Sequence, residues 1–99
     1  MGPESGIIYD TMSQRIRRLR RRIQKLRLGR AQVKPTQLVS LALSIGRTPD
    51  KRGKEPTFVM NPLPPLSIPQ HGQLSKYTVD DILDDLERDV DYLEEVENE

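Results

Sequence analysis

The 99-residue chain has no cysteine and no tryptophan, one histidine (His71) and one phenylalanine (Phe58). Without cysteine there is no disulfide framework, no thiolate nucleophile and no zinc-finger spacing. A single histidine excludes a histidine-rich metal site, and no metal or other cofactor is expected. No apolar stretch approaches the ~20 residues of a membrane span, and no signal peptide is visible. The expectation is a cytoplasmic protein without a membrane partner. Hydrophobic residues supply 34% of the chain and aromatics 4%, enough for one domain with a modest core.

A second kind of shortage is local. Residues 12–34 contain ten Lys/Arg and no Asp/Glu, while residues 78–99 contain eleven Asp/Glu and only Arg88 of opposite sign. The net charge of +1 therefore conceals a chain polarised from end to end.

The chain divides into a tail over residues 1–12, a basic helix over 13–30 and a compact region over 34–96. Gly and Pro without periodicity mark the tail as flexible. In SQRIRRLRRRIQKLRLG, Ser13 is the expected N-cap and Gly29 the stop, with Ile16, Leu19, Ile23 and Leu26 forming a narrow apolar seam. PTQLVSLALSI predicts a helix over 35–45 that Gly46 ends, with Leu38, Leu41, Ala42 and Ile45 on one face. TFVM (57–60) and LSI (66–68) read as strands separated by a turn at NPLPP, with a third short strand around Arg47–Thr48. Thr78 followed by Asp81 approximates a capping box, and Val79, Leu83, Leu86, Val90 and Leu93, broadened by Ile82, predict a helix over about 79–96. The class is α+β.

The first and last helices carry apolar seams flanked by arginines in one case and carboxylates in the other. They are expected to pair, within one chain or between two, giving in the second case a homo-oligomer through residues 13–28 and 79–96. A cationic helix also attracts phosphate backbones by counterion release. Lacking interleaved aromatics, any such contact would be blind to sequence.

Residues 34–90 resemble the HicA family of bacterial HicA–HicB toxin–antitoxin systems. The resemblance runs through KPTQLVSLALSIGR, the glycine turn of RGKEPTF, and PLSIPQHGQLSKYTVDDILDDL, with Ile68-Pro69-Gln70-His71, Thr78 and Ile82-Leu83 at the family's positions. It implies a fold like a double-stranded-RNA-binding domain, with an α-β-β-β-α core to which this chain adds the basic N-terminal helix and a long acidic C-terminal one. It further implies metal-independent cleavage of messenger RNA and a HicB-like antitoxin as partner.

The family's catalytic histidine follows the turn glycine by two positions, where this chain has Glu55. Metal-free RNA cleavage needs a base, an acid and stabilisation of the charged phosphorane. A glutamate can act as base, but at its ordinary pKa it has no proton to donate and it repels phosphate. The resemblance therefore implies an attenuated or inactive endoribonuclease. The alternative is a non-catalytic RNA- or protein-interaction module that self-associates through its charged helices. Glu55 and His71 are the candidate catalytic residues, although a loop role that orients the following helix accounts for His71 more simply. Arg47, Lys51, Arg52 and Lys54 are the candidate RNA-binding residues, as a basic patch beside the hairpin. Tyr77 stands where the family has glycine and is expected to pack.

Overall fold

The computed structural model describes residues 3–50, 56–70 and 72–97, with side chains from Gln14 onward. In chain order these form α1 (Pro3–Leu28), a 3-10 turn (Arg30–Gln32), α2 (Pro35–Ile45), β1 (Thr48–Asp50), β2 (Thr57–Met60), β3 (Leu63–Ser67) and α3 (Lys76–Glu97). The three strands make one antiparallel sheet in the order β1-β2-β3. The architecture is α+β, as composition and periodicity predict.

The residues account for each element. Pro35 opens α2, where a missing N–H costs nothing, and the Lys34 backbone N–H donates to Gln37 Oε1 at 2.8 Å. Leu38, Leu41, Ala42 and Ile45, one face of α2, are all buried. Gly46 ends the helix at φ 126°, a left-handed conformation that a residue with a Cβ rarely adopts. It reverses the chain into β1.

Central β2 (TFVM) contains no proline, whereas the edge strands carry Pro49, Pro64 and Pro65. That division follows from the ladder, because a proline has no N–H to give and is tolerated only where no strand lies beyond. Phe58 pairs with Leu66 across the sheet, and both are buried with Ile68. The Asn61–Pro62 peptide linking β2 to β3 is cis.

The seams of α1 and α3 meet within one chain. Ile16, Leu19 and Ile23 of α1 join Leu38, Leu41 and Ile45 of α2, Phe58 and Leu66 of the sheet, and Val79, Leu83, Leu86 and Val90 of α3 in a single core. Leu26 and Leu93 pack at its margin.

Four boundaries differ from expectation. Helix α1 starts at Pro3, so Ser13 lies inside it and the expected tail is helical from residue 3. The NPLPP turn is shorter, because Leu63, Pro64 and Pro65 belong to β3. The third strand starts at Thr48 and excludes Arg47. Thr78 does not cap α3: Ser75 Oγ accepts the Thr78 N–H at 3.1 Å, and the helix begins at Lys76. Serine three residues before a threonine performs the N-cap function expected of Thr78 itself.

Candidate functional site

The sequence places the candidate site in the β1–β2 connection. Lys51, Arg52, Lys54 and Glu55 lie outside the described residues, and so does His71 between β3 and α3. The described residues form the frame around them, and Arg47 belongs to that frame.

Arg47 immediately follows the Gly46 reversal and points into the protein, with only 3% of its surface exposed. Its Nε and Nη2 donate to Asp89 Oδ2 and Oδ1 at 2.6 and 2.8 Å. Its Nη1 donates to the backbone oxygens of Phe58 and Pro64 at 2.8 and 3.0 Å. Four of the five N–H donors of the guanidinium are engaged inside the protein and the group is enclosed, so it does not face a phosphate outside. Arg47 is therefore removed from the expected RNA-binding patch. It ties β2 and β3 to α3.

Asp89 sits in an acidic run that reads as a solvated face. Its spacing distinguishes it: Ile82, Leu86, Asp89 and Leu93 follow 4-3-4 spacing, so Asp89 falls on the buried stripe rather than the solvated face. A carboxylate at such a position requires a buried cation.

Of the ten cations of residues 12–34, Lys34 precedes α2 and the other nine divide into two sets. In the first, Arg20 bridges Asp91 and Glu94 at 2.9 and 2.8 Å. Arg27 reaches Asp84 and Glu87 at 2.6 and 2.8 Å and Asp80 at 3.5 Å, and Arg30 also reaches Asp80. These are the opposite-charge edges expected of the two seams. Burial of Arg20 opposes its charged form, but hydrogen bonds to Asp91 and Glu94 outweigh it and hold the pKa above its ordinary value. Arg27 is raised by its hydrogen bonds to Glu87 and Asp84. Two more arginines serve α2: Arg15 donates to the Ser44 and Ile45 carbonyls at 3.1 Å each, a cation at a helix C-terminus. Arg22 donates to the hydroxyls of Ser44 and Ser40.

In the second set, Arg17, Arg18, Arg21 and Lys25 are exposed and, among the described residues, make no hydrogen bond or ion pair. They lie on the side of α1 turned away from its seam.

A surface hollow of about 570 Å³ lies between the α1–α2 connection and the chain at Gln70, Gly72 and Gln73, on either side of position 71. Among the described residues, Lys34 is its one charged lining residue. Tyr77 is 71% exposed, with the Lys76 ammonium 5.4 Å from its ring centre, so it stands in solvent instead of packing. Among the described residues no cluster of His, Asp or Glu is arranged to hold a metal ion, and no helix is long and apolar enough to cross a membrane. Comparison with models of known protein families, with curated proteins and with solved structures finds no match to this chain.

Proposed function

We propose that this chain is a HicA-like RNA-binding toxin, silenced by a HicB-like antitoxin, whose cleavage of messenger RNA is attenuated or lost because Glu55 stands where the family has histidine. The observation that carries the reading is the element order. From Pro35 to Glu97 the chain runs helix, three antiparallel strands, helix, the order of the double-stranded-RNA-binding-domain-like fold that the motifs of residues 34–90 resemble. The resembled catalytic position then falls in the β1–β2 connection, among Lys51, Arg52 and Lys54.

Chemistry explains the expected impairment. In metal-free cleavage a base takes the 2′-hydroxyl proton, the 2′-oxygen attacks phosphorus, and the 5′-oxygen departs with a proton from an acid. Histidine, with an ordinary pKa near 6.5, fills either role at neutral pH. A glutamate, ordinarily near 4.3, is ionised there and offers only the base. Its negative charge also opposes the approach of the phosphate, leaving Lys51, Arg52 and Lys54 to hold RNA without efficient turnover.

Glu55→His tests this directly. The variant is expected to gain cleavage of cellular messenger RNA and to arrest growth when produced without an antitoxin, while the natural chain does neither or does so weakly. A variant that binds RNA but neither cuts it nor arrests growth overturns the enzyme lineage and leaves a non-catalytic RNA-binding module.

A further inference from the structure

We propose that the outward face of α1 is a second nucleic-acid surface, formed by Arg17, Arg18, Arg21 and Lys25, which tracks the phosphate backbone of double-stranded RNA without reading sequence. The proposal rests on the RNA-binding reading but not on the β1–β2 connection, which lies elsewhere in the chain.

Three observations carry it. First, the fold does not use these four cations. Arg15, Arg20, Arg22, Arg27 and Arg30 meet acceptors on α2 or α3, whereas the outward four meet none among the described residues. Second, the row is electrostatically unfavourable alone. Arg17, Arg21 and Lys25 are spaced i, i+4, where like charges destabilise a helix by about 0.2–0.5 kcal/mol per pair. A polyanion relieves that repulsion. Third, the face has the chemistry of backbone binding and of little else. Its neighbours Gln14 and Gln24 are polar and exposed. It holds no aromatic ring on which an unpaired base could stack, and its one large exposed apolar side chain, Leu28 at its C-terminal end, falls short of the apolar centre that a protein interface buries.

The dimensions agree. From Arg17 to Lys25 the helix rises about 12 Å at 1.5 Å per residue. One strand of a B-form duplex carries a phosphate charge per ~3.4 Å of axis, so a row of about 12 Å spans roughly three to four phosphates of a strand, comparable to its four cations.

The test is the salt dependence of binding, with the full chain and a ~20-base-pair RNA duplex of arbitrary sequence. Each neutralised phosphate contributes about −0.9 to the slope of log K against log salt. The variant R17Q/R18Q/R21Q/K25Q is therefore expected to lose between three and four units of slope. That corresponds to the disappearance of roughly a hundredfold loss of affinity between about 50 and 200 mM salt. Single R21Q is expected to lose about one unit, and R20Q/R27Q, whose cations face α3, none. Circular dichroism of the fourfold variant is expected to match the natural chain, and single R21Q judges the proposal should it not.

An unchanged slope in the fourfold and R21Q variants, with binding abolished in K51Q/R52Q/K54Q, overturns the outward row and leaves the hairpin reading standing. Retention of the natural chain on immobilised polyglutamate without salt-dependent duplex binding also overturns it, making this face a dock for an acidic protein. The Glu55→His cleavage assay judges the hairpin separately in either case.

Discussion

At the scale of single residues, the pair Arg47–Asp89 is the least expected feature and the most consequential for the core. Both side chains are almost wholly enclosed, at 2% and 3% exposure, and Arg47 also satisfies the carbonyls of Phe58 and Pro64. Removing one partner leaves a desolvated charge, which costs about 3–5 kcal/mol, whereas replacing both with apolar residues of similar size is often neutral. Asp89→Ala is thus expected to lower unfolding stability by about 3–5 kcal/mol. In the same urea titration, R47M/D89L is expected to recover most of that loss. A loss below about 1 kcal/mol for Asp89→Ala would mean that Arg47 reaches water, contrary to this packing. Sequence indicated a basic patch here because Arg47 sits in GRTPDKRGK among cations that look alike. The difference is made by Gly46, whose left-handed turn directs the next side chain inward, and a charge count contains no such direction.

At the scale of elements, the α1–α3 contact separates what holds the helices together from what aligns them. Ile23 is 2% exposed and touches the common core. Arg27 bridges three carboxylates, but on a surface where such pairs contribute about 0–1 kcal/mol each. Ile23→Ala is expected to cost about 2–5 kcal/mol, and Arg27→Gln about 1 kcal/mol or less, measured by denaturant unfolding at moderate salt. Equal losses would show that charge, not the seam, drives the pairing. The raised pKa values of Arg20 and Arg27 fix the sign of the pH effect. Their contribution is complete below the ordinary arginine range and fades only as pH rises beyond it into strong alkali. Helix periods were legible because α1 and α3 each bury one narrow stripe, and α2 was legible from Pro35 through Ile45. Helix starts were less so. Ser75 and Thr78 carry equivalent hydroxyls, and only the hydrogen bond at 3.1 Å identifies which one caps. β3 hid its first half behind Pro64 and Pro65, which disqualify a central strand but suit an edge.

At the scale of the whole molecule, the end-to-end polarity of the sequence is folded back on itself. The acidic helix covers one side of the basic helix, and cations remain on the other. This geometry bears on self-association. Residues 13–28 and 79–96 could pair two chains only by presenting seams that here are already buried against each other within one chain. Of the large apolar side chains left exposed, Leu28, Leu43, Tyr77 and Val96 come from three different helices, and scattered residues of this kind are ordinary on a protein surface. The chain is therefore expected to sediment as a monomer at low salt and again at about 1 M salt, where the Debye length falls to about 3 Å. Helix content is expected to persist across that range, because an apolar seam is not weakened by screening as ion pairs are. A dimer at either salt, or loss of helix at the higher one, would mean that the two charged helices engage between chains. Under the same salt increase the proposed RNA binding is expected to collapse, since a row of cations with only Leu28 exposed beside it depends on charge. A fold insensitive to salt and a binding surface steeply sensitive to it is the combination expected if the outward arginines serve the proposed RNA contact.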